Sequence, residues 1–147
     1  MLQKLKVLIL CTGNSARSQM AEGFWRHLAG DRWEVFSAGV DPKGVNPVAV
    51  QIMAEAGVDI SGHRSKNVLE FHGQPFDLVV TVCDNAAAAC PSFPGAKRQE
   101  HWPFEDPPHS PGDDEAKRIV WRRVRDQIRA RIGEYLCEQK QAAIQGG

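Results

Sequence analysis

The sequence predicts an α/β fold built on a parallel sheet covered on both faces. Short apolar runs alternate along the chain with stretches of helical periodicity, the pattern of strands linked by crossover helices. Those runs are continuous rather than alternating, as strands buried on both faces are. No repeat, linker or low-complexity tract divides the 147 residues, so residues 1–147 read as one domain, long enough to bury a core without staples.

The elements follow in order. Val7 to Leu10, extended backwards through Leu5, is the first buried strand. A polar turn, Thr12-Gly13-Asn14-Ser15, comes at once. Met20, Ala21, Phe24, Trp25 and Leu28 then recur at helical spacing, ending near Gly30. Trp33 to Ala38 is a second strand closed by Gly39. Asn46-Pro47 opens a helix, because proline suits a first helical turn, and Gly57 closes it. Leu78 to Val82 is a third strand, and Arg98 to Trp102 is the expected fourth. Pro103 to Pro111 is a proline-rich loop. The last helix runs from Asp113 to Cys137 on a stripe of Val120, Val124, Ile128, Ile132 and Leu136, its acidic start facing the positive end of the helix dipole.

Composition bounds the function. Lys plus Arg and Asp plus Glu both total 18, so nothing global points to nucleic acid or an anionic membrane. The late arginines Arg118, Arg122, Arg123, Arg125, Arg129 and Arg131 read as a solvated helix face. Leu2 to Leu10 is too short to span a bilayer and is broken by Lys4 and Lys6. A cytoplasmic monomer is expected, in a compartment that keeps thiols reduced. Cys11, Cys83, Cys90 and Cys137 lack the paired short spacings of a zinc site, and catalytic or redox work suits them better.

The chemistry begins at the first loop. Cys11-Thr12-Gly13-Asn14-Ser15-Ala16-Arg17-Ser18 joins a strand to a helix, where backbone N–H groups and the helix dipole can make an anion nest. Gly13 is expected to take a backbone conformation other residues resist. Arg17 can grip two oxygens of an anion with its planar fork. The same field favours thiolate over thiol at Cys11, and Ser18 is placed to donate a hydrogen bond to it. Asn14 is expected to shape the loop through bonds to its backbone.

Cys11 to Ser18, followed by Gln19-Met20-Ala21-Glu22-Gly23, resembles the signature of the low-molecular-weight protein tyrosine phosphatases, and more specifically of their relatives, the thioredoxin-coupled arsenate reductases. The resemblance continues through Ser37-Ala38-Gly39, Gly57-Val58-Asp59-Ile60-Ser61, Asp77 to Asp84, and His101-Trp102 with Asp106-Pro107-Pro108. It implies a three-layer α/β/α fold with a four-stranded parallel sheet. Under the phosphatase alternative, Cys11 and Arg17 act with Asp106 as general acid. The chain's only tyrosine, Tyr135, lies far off in the last helix.

Two further cysteines favour the reductase, since reducing arsenate takes two electrons that a phosphatase never supplies. As the resemblance implies, Cys11 attacks arsenic, Asp106 protonates the departing hydroxide, Cys83 attacks Cys11, and Cys90 attacks Cys83. Thioredoxin then reduces the resulting disulfide, with no tightly bound cofactor and with phosphate or sulfate as competing oxyanions. If residues 83 to 90 were helical, the two Cα atoms would stand about 10 Å apart, whereas a disulfide wants roughly 5.5–6 Å. The segment must therefore unwind when oxidised. The alternative for Cys83 and Cys90 is a pair of small buried hydrophobes. A non-catalytic oxyanion sensor is a third class, against which Cys11, Arg17 and Asp106 are all present. Cys137 reads as incidental and His101 as structural. His63 reads either as a partner near the relay or as a surface residue. Some relatives bind potassium through an Asn, a Glu, a Ser and an Asp. Asn14, Glu22 and Ser37 match these, but Lys66 stands at the Asp position, so no metal is expected.

Overall fold

The computed structural model describes residues 4–82, 93–109 and 112–146, with side chains described only as far as residue 139 and not at 109. The elements run β1 (Leu5–Cys11), α1 (Arg17–Ala29), β2 (Trp33–Gly39), α2 (Pro47–Glu55), a 3-10 turn (Val68–Phe71), β3 (Leu78–Thr81), β4 (Gln99–His101), a 3-10 turn (Pro107–His109) and α3 (Asp114–Gly146). The sheet order is β2-β1-β3-β4 and every pairing is parallel. All four expected strands form, and α3 continues nine residues past the expected end at Cys137, to Gly146.

The continuous apolar runs have the cause expected of them. Val7 and Ile9 of β1, Trp33 and Val35 of β2, and Leu78 and Val80 of β3 join one buried cluster with α1, α2 and α3. Leu8, Leu10, Ala38 and Val79 face the other way, into a second cluster with Phe71, Phe76 and Phe93. Both faces of the sheet are therefore covered: one by three helices, the other by the Val68–Phe71 turn and loops.

Local chemistry starts the helices where the sequence places them. Asn46 caps α2, its Oδ1 accepting from Val48 N at 2.8 Å with Pro47 in the first turn. Asp113 Oδ1 accepts from Ala116 N at 2.9 Å and does the same for α3. Of the late arginines, Arg122, Arg123 and Arg129 are exposed as expected, while Arg118, Arg125 and Arg131 are part-buried. Arg122 and Arg125 both reach Glu55 of α2 at 3.0 Å, and Arg123 reaches Glu105 at 2.7 Å. Arg131 lies 4.4 Å over the ring of Trp102. This face fastens α3 to its neighbours, and the buried stripe gains Trp121 and Tyr135, while Val120 is only half-buried. Among the described residues, no helix is long and apolar enough to cross a membrane.

Candidate active site

β1 ends at Cys11 and α1 begins at Arg17, so residues 12–16 form the strand-to-helix loop. The chain leaves β1 for β2 on one side and for β3 on the other, which opens a crevice at the carboxyl end of β1. Cys11 lies in register with Gly39, and Leu10 with Gly39's neighbour Ala38 and with Thr81.

The loop's carbonyls are taken up by the scaffold around it. Thr12 O accepts from Asp41 N and Gly13 O from Lys43 N, both at 2.9 Å, and Ser15 O accepts from Asn46 N at 3.0 Å. Ser65 Oγ also donates to Gly13 O, and Gln19 Nε2 donates to Asn14 O. Every peptide here is trans. Each following N–H, from Gly13 to Ala16, therefore points away from its committed carbonyl. No side chain caps α1 at Ala16 and no acidic residue stands in its first turn, so the positive end of the helix faces the loop.

The left-handed backbone falls on Asn14 (φ 45°) rather than on Gly13, where the sequence suggested it. Asn14 tolerates that region better than most residues. Its side chain is also held on both atoms: Nδ2 donates to Ser18 Oγ and Ser37 Oγ, and Oδ1 accepts from Lys66 N and Gln19 Nε2. A Cβ at Gly13 would lie 3.2 Å from Lys43 Cγ, a close approach that the exposed lysine side chain can relieve by a small shift.

Cys11 is buried, its Sγ 3.1 Å from Ser18 Oγ. Because Ser18 Oγ already accepts from Asn14 Nδ2 at 2.8 Å, its hydroxyl hydrogen is left to point at the sulfur, where a thiolate accepts it. Arg17 is also buried. Its Nη1 donates to Phe104 O at 3.0 Å, and its Nη2 lies 3.6 Å from Asp106 Oδ2. One guanidinium thus ties the Asp106 loop to the anion loop. Cys11, Arg17 and Asp106, three residues the sequence singled out, lie on loops tied to one another.

Cys83 and Cys90 lie outside the described residues. On the near side, Val82 N donates to Leu10 O at 2.9 Å, so the residues that precede Cys83 and Cys11 in sequence are paired. On the far side, Phe93 N donates to Gln99 Oε1. Cys137 is exposed on α3, in a groove with Leu28, Asp31, Arg32 and Leu136. His101 Nδ1 bonds Thr81 Oγ1 at 2.6 Å, pinning β4 to β3.

A low molecular weight phosphotyrosine protein phosphatase model matches residues 6–145. The chain belongs to that family. Relatives similar to it over most of its length include arsenate reductases. The arsenate reductase of Halalkalibacterium halodurans is 50% identical over 131 residues, 89% of this chain and 94% of that protein. Among solved structures, an arsenate reductase in the phosphate binding state shares 32% identity at a TM-score of 0.77, covering 91% of this chain and 98% of that one. A thioredoxin-dependent arsenate reductase from Corynebacterium glutamicum shares 30% identity at a TM-score of 0.68, covering 95% of this chain and 63% of that one.

Several residues of this family site escaped the sequence reading. Gln19 is fully buried and bridges Asn14 to Arg64 O. His63 is mostly buried rather than a surface residue: its Nδ1 meets Gln19 Oε1 at 3.0 Å and its Nε2 meets Arg26 Nη1 at 3.2 Å. Burial holds His63 below the ordinary histidine range despite the nearby Glu22 carboxylate. Gly39 looked like a strand end. A Cβ there would lie 2.5 Å from Thr12 O and 2.8 Å from Asn14 N, so only glycine lets the anion loop rest on β2. Asn14, Glu22 and Ser37 do converge, Ser37 Oγ donating to Glu22 Oε1 and accepting from Asn14 Nδ2. Lys66 Nζ stands 3.5 Å from that same carboxylate oxygen. An ammonium against the carboxylate does not fit a potassium ion at that place.

Proposed function

We propose that this chain reduces arsenate to arsenite through Cys11, Cys83 and Cys90, with thioredoxin as the electron donor. The oxyanion sits against the concave side of the loop formed by Thr12, Gly13, Asn14, Ser15, Ala16, Arg17 and Ser18, with the Arg17 fork on two of its oxygens. The Cys11 thiolate attacks arsenic, and Asp106 gives its proton to the departing hydroxide, which leaves as water. Cys83 as thiolate then attacks the Cys11 sulfur. A Cys11–Cys83 disulfide forms, the sulfur–arsenic bond breaks with its electron pair moving to arsenic, and arsenite departs. Cys90 attacks Cys83 in turn, freeing Cys11, and a thioredoxin dithiol reduces the Cys83–Cys90 disulfide.

What favours reductase over phosphatase is Cys83 in the sequence, directly after Val82, whose N–H bonds Leu10 O. A second thiol follows one residue beyond that pairing, and a hydrolase has no use for it. Kinship with arsenate reductases supports the substrate, and the solved thioredoxin-dependent relative supports the donor.

The test is a serine series assayed with thioredoxin, thioredoxin reductase and NADPH. Cys11→Ser abolishes arsenate-dependent NADPH consumption and any hydrolysis of an aryl phosphate. Cys83→Ser stops reduction alone. Cys90→Ser releases a single arsenite per enzyme and then holds a Cys11–Cys83 disulfide, seen by mass spectrometry of unreduced peptides. Aryl phosphate hydrolysis without arsenate-dependent NADPH loss in the wild type would make the chain a phosphatase. Wild-type turnover in Cys90→Ser would replace the relay with two cysteines and an external thiol.

A further inference from the structure

Glu22 carries a carboxylate on α1 whose side chain is only 5% exposed, and a charge so placed must be balanced. Two cations reach it. Arg26 Nη1 donates to Oε2 at 2.9 Å, but its side chain is 49% exposed and its field is screened accordingly. Lys66 Nζ approaches Oε1 at 3.5 Å with a side chain only 12% exposed, so its charge acts through protein rather than water. The ammonium is held a second time, donating to Arg64 O at 2.9 Å.

Lys66 also grips the anion loop with its backbone. Its N–H donates to Asn14 Oδ1 at 2.8 Å, and its carbonyl accepts from Gly39 N at 2.8 Å. The path onward is continuous. Glu22 Oε1 takes the Ser37 hydroxyl, Ser37 Oγ accepts from Asn14 Nδ2, and Asn14 Nδ2 also donates to Ser18 Oγ beside the Cys11 sulfur. Asn14 needs those bonds to stay in the left-handed region.

We propose that Lys66 is a positioning residue serving as the tethered cation of the anion loop. Its ammonium balances Glu22 and, through Glu22 and Ser37, steadies Asn14, making the loop's order independent of any dissolved monovalent cation. A bound potassium ion would have to displace the ammonium, which is tied to the chain at both ends of this site. The inference concerns the same site as the arsenate reading, and its kinetic arm rests on that reading. Its structural arms do not.

The test compares wild type, Lys66→Met and Lys66→Asp at fixed ionic strength, exchanging choline chloride for potassium chloride. Melting temperature and the alkylation rate of the Cys11 peptide, read by mass spectrometry, are followed alongside kcat and KM. The wild type shows the same melting temperature and alkylation rate in both salts. In choline, Lys66→Met melts lower and its Cys11 alkylation falls roughly tenfold, as when one member of a coupled network is lost. Lys66→Asp behaves likewise in choline, and potassium raises its melting temperature and restores its alkylation, because a carboxylate in place of the ammonium makes room for the ion. A potassium-dependent rise in the wild type would overturn the proposal even if neither variant folds. So would a Lys66→Met protein that matches the wild type in choline. If these results hold while the wild type reduces no arsenate, the tethered cation stands and the reductase reading falls.

Discussion

Two regions flank the same sheet and are built from opposite materials. Beneath the helices, Trp25 sits 5.2 Å from Trp33, 5.9 Å from Trp102 and 5.7 Å from Tyr135, centroid to centroid. At the carboxyl end of β1, Asn14, Ser18, Gln19, Glu22 and Ser37 are just as buried, but they are polar and interlocked by hydrogen bonds. The aromatic layer is held by area and shape and tolerates imprecision. The polar network is held by direction, and every member left unpaired costs the desolvation of a buried group. The first region should therefore govern stability and the second should govern geometry at Cys11.

The largest effect breaks the aromatic side. Trp25→Ala should destabilise the protein by about 3–5 kcal/mol, the cost of emptying a large aromatic site, measured by urea unfolding. Trp25→Phe should cost far less, since Trp25 Nε1 has no hydrogen-bond partner among the described residues. In the folded fraction of Trp25→Ala, phosphate should still protect Cys11 from alkylation. Loss of that protection would show that the two regions are not separable.

The next effect breaks the polar side. Gly39→Ala forces a Cβ against Thr12 O and Asn14 N, which are backbone atoms and cannot swing away. The anion loop must shift, and a displacement of that kind costs about a hundredfold in rate. We expect kcat/KM for arsenate to fall by that order while stability drops by about 1–3 kcal/mol, as for other overpacked sites. A stability loss with kcat/KM unchanged would mean that the loop tolerates the shift.

The same contrast explains what the sequence disclosed. The strands and the α3 stripe were legible because burial imposes a period on neighbouring residues, and Val7 to Leu10 or Val124, Ile128 and Ile132 carry it plainly. Cys11, Arg17 and Ser18 were legible because one short loop holds them all. What Gln19, His63 and Gly39 meet was not. Their partners come from segments dozens of residues away, as His63 to Gln19 shows, and no periodicity records such a meeting. Tyr135, read only as lying in the last helix away from the site, is a buried member of the aromatic layer. Asn14 rather than Gly13 took the left-handed backbone, because four partners around its side chain outweigh glycine's freedom.

The smallest effect separates the regions by pH, because each holds one titratable group shifted by burial. His63 belongs to the polar network, where its Nδ1 hydrogen meets Gln19 Oε1 and its Nε2 faces the Arg26 guanidinium. Burial lowers its pKa from 6.5; Arg26 and Lys66 add to that, while Glu22 and Asp59 oppose it. The folded state thus takes up its proton later than the unfolded chain as pH falls. Its stabilising contribution is present above about 6.5 and is lost below, down through the folded value. Tyr135 belongs to the aromatic layer, and burial followed by the Glu100 charge raises its pKa from 10.0. Here the unfolded chain ionises first, so stability is intact below about 10 and falls as pH rises beyond it. His63→Gln should flatten the acid limb of a melting-temperature profile and leave the alkaline limb alone. Tyr135→Phe should do the reverse, each change amounting to about 1 kcal/mol or less. If His63→Gln left the acid limb as steep as in the wild type, carboxylates elsewhere would be setting it, and the polar network would be more tolerant of charge than its geometry implies.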